Sequence, residues 1–135
     1  MTTGETPVKN LMTEDLVTVV ETTAVEAAAA RLVSGDVQSL VVVDTAGRPV
    51  GLFTTTDLAE IVATRRALGD ATVADHMTRN LITVDADTTV QEAAATLIEH
   101  EIHHLPVTDG DDVVGMLSAL DQTAFLSSKA SSDAA

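Results

Sequence analysis

The chain has 135 residues, no cysteine, 21 acidic and only 7 basic residues, and its net charge of −14 is typical of proteins from a high-salt cytoplasm. The negative charge opposes binding to nucleic-acid phosphates and to anionic membranes, and the lack of cysteine excludes disulfides, thiolate zinc sites and a thiol nucleophile. Because no apolar run approaches the roughly 18 residues of a membrane-spanning helix and residues 1–9 lack the apolar centre of a signal peptide, we expect a cytoplasmic protein without nucleic-acid or membrane partners.

The first third of the chain predicts an extended segment, a helix and a buried strand, in that order. The extended segment covers residues 11–19. Apolar residues then recur at helical spacing over residues 23–33, where Thr23 and Glu26 form a predicted capping box. The continuous, mostly β-branched run at residues 39–44 is typical of a strand buried on both faces.

The next strand leads directly into a helix. Residues 50–53 are apolar and contain a glycine, and Thr54 with Asp57 three positions later suits the first turn of a helix. Such a junction places a hydroxyl, a carboxylate and helix-terminal amides together at the carboxyl end of a strand, where ligands tend to bind in open α/β structures. Helix capping alone also accounts for an aspartate at this position.

The whole pattern then starts again, 65 positions later. Met12-Thr13 matches Met77-Thr78 in this way. Other residues at the same offset are Leu16 and Leu81, Thr18 and Thr83, Thr23 and Thr88, Glu26 and Gln91, Leu32 and Leu97, and Val42 and Val107. One residue is missing from the second turn, so Ser118 and Asp121 match the junction residues of the first copy at an offset of 64. Similarity at a fixed period predicts two copies of one β-α-β-β-α unit.

Taken together, the repeated features resemble a pair of CBS domains, also called a Bateman module. The ordered set consists of Met-Thr, Leu-Val-Thr-Val, an alanine-rich helix, the strand His103–Val107 and Gly-x-x-Thr-x-x-Asp, with each feature or its equivalent occurring twice. The resemblance implies an α/β (α+β) fold of two pseudo-twofold-related β-α-β-β-α repeats packed sheet to sheet. Repeat one would cover residues 8–68 and repeat two residues 72–126, with flexible tails at residues 1–7 and 127–135.

The resemblance also implies two ligand clefts, each lined by both repeats. The first would use Thr13, Thr18, Thr54, Asp57, His103 and His104, and the second Thr78, Thr83, Ser118, Asp121, Gln38 and Ser39. The two aspartates would accept ribose hydroxyls, since a carboxylate can take two vicinal hydroxyls, while Thr54 and the histidines would hold phosphate. Where relatives commonly carry His or Arg, this chain has the neutral Gln38 and Ser39, so we predict the more phosphorylated ligand at Asp57.

The ligands that the resemblance implies are AMP, ADP, ATP or S-adenosylmethionine, and none of them is an obligatory cofactor. Few basic residues stand near the predicted clefts, and Lys9 and Arg79 are the nearest in sequence. That scarcity disfavours a triphosphate without a magnesium ion. We expect a homodimer in which two modules form a flat disc and pass ligand occupancy to a regulated protein encoded elsewhere.

The sequence allows three other interpretations to be weighed against this one. His100 and His104 have a spacing that can bind metal on a helix, but the helix is predicted to end near Glu101, so we expect no metal site. No nucleophile or phosphate-loop motif occurs, so we expect no catalytic residues and no enzyme. The stronger alternative is a ligand-independent dimerisation or interaction module, in which the junction aspartates only cap helices and the alanine-rich stretches Ala27–Ala30 and Ala93–Ala95 pack between subunits.

Overall fold

The computed structural model describes residues 6–64, 69–79 and 81–119. The strands are β1 (Thr18–Val20), β2 (Ser39–Val43), β3 (Pro49–Thr54), β4 (Val84–Asp85), β5 (His104–Asp109) and β6 (Asp112–Ser118). The helices are α1 (Val25–Ser34), α2 (Thr55–Ala63), α3 (Val73–His76) and α4 (Val90–Glu99). The predicted Asp121, the predicted tail at 127–135 and the first five residues of the other tail lie outside the described residues. None of the described helices has the length and apolar character needed to cross a membrane.

The chain forms two compact units, each with one three-stranded sheet. Unit A consists of the described residues of Leu16–Leu81, and unit B of those of Met1–Asp15 and Ile82–Ala135. In unit A, β1 pairs in parallel with β2, which pairs antiparallel with β3. In unit B, β4, β5 and β6 repeat that order and those directions. The predicted α+β fold with two similar sheets is therefore confirmed.

The helical periodicity of the sequence forms the core of each unit. Val25, Ala28 and Leu32 lie on one face of α1 and are buried in unit A. The other core residues of this unit come from the sheet, α2 and α3, and are Val19, Leu40, Val42, Phe53, Ile61, Val73 and Met77. In unit B the equivalent face of α4 buries Ala93 and Leu97 against Leu105, Val107 and Leu117, together with Val8 from the start of the chain.

Each unit contains a segment from the other sequence copy. In unit A, Thr78 of the second copy pairs with Leu52 of β3, and the two residues exchange backbone hydrogen bonds of 2.8 and 3.0 Å. In unit B, Thr13 of the first copy exchanges bonds of 2.8 and 2.9 Å with Met116 of β6. We call the residues around Thr72–Thr78 in unit A and around Thr6–Thr13 in unit B the crossing segments. Each crossing segment belongs to the unit whose strand it pairs with, although the sequence period assigns it to the other copy.

The predicted capping box at the start of α1 is wrong. The helix begins one residue later than predicted, so its N-cap is Ala24, which has no side-chain oxygen. Ala24 is extended and pairs with Thr72, while the carbonyl of Thr23 accepts a hydrogen bond of 2.9 Å from the Val73 amide. This pairing with the crossing segment keeps Thr23 out of the capping position. In unit B the residue equivalent to Ala24 is Thr89, and its hydroxyl accepts from the Glu92 amide at 3.2 Å.

Candidate functional site

The junction between β3 and α2 is a complete capping box. The Thr54 hydroxyl oxygen accepts from the Asp57 amide at 3.2 Å. In return, Oδ2 of Asp57 accepts from the Thr54 amide at 2.9 Å and from its hydroxyl at 3.1 Å. These bonds hold the carboxylate in one orientation at the carboxyl end of β3. In the described part of the chain, Oδ1 of Asp57 accepts no hydrogen bond, so half of the carboxylate is available to a ligand.

The environment of Asp57 raises the pKa of its carboxyl group, and burial is the main cause. Burial raises the pKa of this half-buried carboxyl above its usual value, and the two hydrogen bonds from Thr54 offset part of that rise. The negative charge of Glu60 raises the pKa further, while His76 lowers it. A group that donates to the free oxygen of Asp57 would therefore also stabilise its charged form.

Unit A places three further candidate residues around this junction. Ser39 of β2 lies directly opposite Thr54 of β3. The carbonyl of Gln38 accepts a hydrogen bond of 3.0 Å from the Thr55 amide. Thr78 lies beside β3 through its pairing with Leu52, two positions before Thr54. Thr18, the remaining candidate in this unit, pairs with Val41 at the other edge of β2.

Unit B repeats this arrangement. His104 lies opposite Ser118, as Ser39 lies opposite Thr54 in unit A. The carbonyl of His103 accepts from the Ala119 amide at 2.9 Å, and Thr13 pairs two positions before Ser118. Thr83 stands directly before β4, and Asp121 lies outside the described residues.

Within each unit, the structure brings together residues that the sequence prediction assigned to different clefts. Gln38, Ser39 and Thr78 share unit A with the Thr54–Asp57 box. Thr13, His103 and His104 share unit B with Ser118. The composition of the two predicted clefts, which each combine residues of both units, stays a prediction.

A hollow of about 290 Å³ adjoins Asp57 in unit A. Its lining consists of Asp57, Glu60, Ile61 and Thr64 from α2 and the segment just after it, and Asp75 and His76 from α3. The α2 residues recur at i, i+3, i+4 and i+7, so they share one face of the helix. Sequence reasoning missed Glu60, although this helical spacing from Asp57 would have identified it. It had no signal for Asp75 and His76, because they belong to the other sequence copy.

No metal centre is formed by the part of the chain that the structure describes. Three or more His, Asp or Glu side chains do not converge there in a way that could hold a metal ion. His103 is exposed and His104 is partly buried in β5, so the helical spacing of His100 and His104 is not realised on one helix. The junction offers a ligand the Oδ1 atom of Asp57, which accepts no hydrogen bond from the described residues.

A family model described as "CBS domain" matches residues 8–64 and 73–121 of this chain. Among solved structures, the CBS domain pair of protein MJ0100 in complex with 5′-methylthioadenosine and S-adenosyl-L-methionine is 29% identical, with a TM-score of 0.84 over 92% of this chain and 98% of that chain. CBSX2 in complex with AMP is 28% identical, with a TM-score of 0.77 over the same shares of the two chains.

Curated relatives are longer than this chain. A homoserine O-acetyltransferase of Methanococcus vannielii is 30% identical over 117 residues, which are 86% of this chain but 24% of that protein. The chain spans between 21% and 32% of the first three such relatives. The matched part is therefore the CBS region, and the names of the relatives describe much larger proteins.

Proposed function

Because this chain belongs to the CBS domain family, we propose that it is a regulatory module that binds an adenosyl ligand at its strand-to-helix junctions. Two similar CBS proteins contain 5′-methylthioadenosine, S-adenosylmethionine or AMP, which share an adenosine group. The observation that carries the proposal is the Asp57 carboxylate, which is half-buried, oriented by Thr54 and open at Oδ1. An open carboxylate oxygen can accept the two vicinal hydroxyls of ribose.

The other candidate residues would complete the two binding sites. At the first junction, the Asp57 carboxylate would accept the ribose hydroxyls. Gln38, Ser39 and Thr78, which the sequence prediction assigned to the second cleft, lie beside this junction in unit A, and their polar groups would contact the rest of the ligand. At the second junction, Asp121 would take the ribose and Ser118 would support it as Thr54 supports Asp57. The other residues that the sequence prediction assigned to the two clefts remain candidates for ligand contacts, and they are Thr13, Thr18, Thr83, His103 and His104. The repeated geometry of the described residues supports treating the two junctions as equivalent.

We further propose that ligand binding is signalled to another protein and that the module forms a homodimer. A bound ligand can signal in this way only if it binds one conformation of the module better than another, because that difference in affinity shifts the populations of the two conformations.

The proposed homodimer is supported by two exposed apolar side chains. Val33 of α1 and Ile98 of α4 occupy equivalent positions and are 81% and 77% exposed. Each unit thus exposes a large apolar side chain at the same helix position, and this supports contact of these helices with a second copy. Catalysis is not proposed, and turnover of ATP by the pure protein would argue against this view.

Calorimetric titration with adenosyl compounds tests the proposed function. AMP, ATP, S-adenosylmethionine and 5′-methylthioadenosine should be titrated into the wild-type protein, Asp57→Asn and the control Asp111→Asn. Asp111 is exposed in the β5–β6 turn of unit B, so its variant makes the same change of charge away from the junction. We expect Asp57→Asn to weaken binding about tenfold or more, because hydrogen bonds to a charged group contribute roughly 1.5–3 kcal/mol.

The main alternative is a ligand-independent interaction module. The complete capping box favours it, because capping already occupies one oxygen of Asp57. Thermal denaturation separates the two functions, since a ligand that binds only the folded protein must raise the melting temperature. If none of the four compounds raises the melting temperature or gives heat of binding, the interaction module is the better description.

A further inference from the structure

The hollow beside Asp57 is strongly acidic. Asp57 and Glu60 contribute carboxylates from α2, and Asp75 contributes a third from α3. His76 is the one titratable base among the described lining residues. The Glu60 side chain accepts no hydrogen bond from the described residues, while Asp75 accepts from the Thr72 amide at 3.0 Å. Among the described residues that line the hollow, three carboxylates therefore face one histidine and no lysine or arginine.

The described residues that line this hollow include no lysine and no arginine. Arg79 is the nearest described arginine in sequence to α3, and its guanidinium donates to the Ala74 carbonyl at 2.8 Å. The Thr54 hydroxyl, which the sequence prediction assigned to phosphate, donates its proton to Asp57. A phosphate placed here would meet like charge from three carboxylates, and this repulsion opposes its binding.

The volume of the hollow suits part of a ligand. At about 290 Å³ it lies near the lower limit of small-molecule pockets, which begin at about 300 Å³. Ile61 supplies a buried apolar surface in the lining, next to the carboxylates. An apolar wall with flanking carboxylates fits an alkyl chain that carries positive charge.

We propose that this hollow receives the 5′ substituent of an adenosyl ligand whose ribose binds Asp57, and that Glu60 and Asp75 select a positively charged substituent over phosphate. This inference rests on the proposed function and deepens it by naming the ligand class. S-adenosylmethionine has such a substituent, whose sulfonium centre, ammonium group and carboxylate give it a net charge of +1, whereas AMP and ATP have phosphates. This proposal differs from the sequence prediction, which placed the more phosphorylated ligand at Asp57 and stays a prediction.

Ligand selectivity in charge variants tests the inference. Affinities for S-adenosylmethionine, AMP and the uncharged 5′-methylthioadenosine should be measured by calorimetry for the wild-type protein, Glu60→Gln and Glu99→Gln. Glu99 is an exposed residue at the end of α4 in unit B, so it matches the change of charge at a distance from the hollow. Because the side chain of Glu60 accepts no hydrogen bond from the described residues, its replacement should leave the fold intact, which the melting temperature verifies.

We expect the wild-type protein to bind S-adenosylmethionine about tenfold or more tightly than AMP, with 5′-methylthioadenosine between them. Glu60→Gln should reduce that ratio about threefold or more, and Glu99→Gln should leave it unchanged. Added salt should also reduce the ratio, because ions screen exposed charges. Asp75→Asn, which keeps an oxygen for the Thr72 amide, should act in the same direction as Glu60→Gln.

Several results would overturn the inference. If 5′-methylthioadenosine binds but AMP binds as tightly as S-adenosylmethionine, the selectivity is wrong and the proposed function stands. The same holds if Glu60→Gln and Glu99→Gln change the ratio equally. A preference for AMP over S-adenosylmethionine would overturn the inference as well. If none of the compounds binds, the proposed function and the inference fail together.

Discussion

The carbonyl oxygen of Thr78 lies 2.7 Å from the position that a Cβ atom on Gly51 would occupy. This carbonyl cannot easily move, because it accepts a hydrogen bond from Leu52 and the Thr78 amide donates to the Leu52 carbonyl. The sulfur of Met77 also lies 2.9 Å from that position. The crossing segment therefore packs directly on the glycine of β3, and any side chain there would separate the two.

Replacement of Gly51 by alanine should destabilise the protein. We expect Gly51→Ala to lower the free energy of unfolding by about 2 kcal/mol, because overpacking against fixed backbone typically costs about 1–3 kcal/mol. Urea denaturation followed by circular dichroism measures this change. An unfolding midpoint equal to that of the wild-type protein would show that the segment is not held against β3.

Gly115 occupies the equivalent position in unit B, where the nearest atoms belong to the flexible side chain of Met12. A Cβ atom there would collide with the sulfur of Met12 and lie 2.7 Å from its Cγ, whereas the Thr13 carbonyl is 3.1 Å away. A thioether can change rotamer, so we expect Gly115→Ala to cost less than Gly51→Ala. Met12→Ala should rescue Gly115→Ala in a double-mutant cycle, while Met77→Ala should rescue Gly51→Ala little. Equal rescue in both units would contradict the role of the Thr78 carbonyl.

The two long helices that follow β1 and β4 differ in their caps, and exchanging the capping residues should change stability in opposite directions. Ala24 gives α1 no side-chain cap, while Thr89 caps α4. Ala24→Thr should raise the free energy of unfolding by about 0.5–1 kcal/mol, and Thr89→Ala should lower it by about 1 kcal/mol. Thermal and urea denaturation test both. If Ala24→Thr destabilises the protein, the pairing of this residue with Thr72 does not tolerate the larger side chain.

The raised pKa of Asp57 makes its contribution to stability depend on pH. The folded protein retains this proton at pH values where the unfolded chain has released it, so raising the pH through that interval favours the unfolded chain. The cost begins near the ordinary aspartate pKa and is complete above the raised pKa of the folded state. We therefore expect the free energy of unfolding of Asp57→Asn, relative to wild type, to increase as the pH rises from the ordinary aspartate pKa of about 3.9 through the raised pKa of the folded state.

Urea denaturation at several pH values measures this difference. A difference that is constant over the range would mean that the pKa of Asp57 is the same in the folded and unfolded protein. Any capping lost in the asparagine variant adds an offset that does not depend on pH, so the slope and not the absolute value is diagnostic.

The exposed apolar residues of α1 and α4 predict self-association. Val33→Lys/Ile98→Lys should convert a dimer into a monomer in light scattering, because the two lysines would place charges where the proposed dimer buries apolar side chains. Ser34→Lys/Glu99→Gln changes the net charge equally at neighbouring exposed positions, so it should leave the dimer intact. A wild-type monomer, or a dimer that survives the lysine variant, would contradict the proposed homodimer surface.

Much of the fold was predictable because the relevant signals are local. Helical spacing identified the buried face of α1 at Val25, Ala28 and Leu32, and the apolar run of β2 identified a strand whose central residues are all buried. The Thr54–Asp57 junction was also predictable, since a capping box involves residues three positions apart. The error at Thr23 has a non-local cause, because the crossing segment shifts the start of α1 to Val25.

By itself, the sequence determined that one β-α-β-β-α unit occurs twice and which residues are equivalent. Only the tertiary structure decided that Met77-Thr78 joins unit A and that Val8 and Thr13 join unit B. The physical reason is that both copies present the same glycine and the same strand edge, at Gly51 and at Gly115. A repeat period cannot distinguish between equal partners, so the pairing depends on contacts between residues far apart in the chain, and the same contacts place Asp75 and His76 beside Asp57.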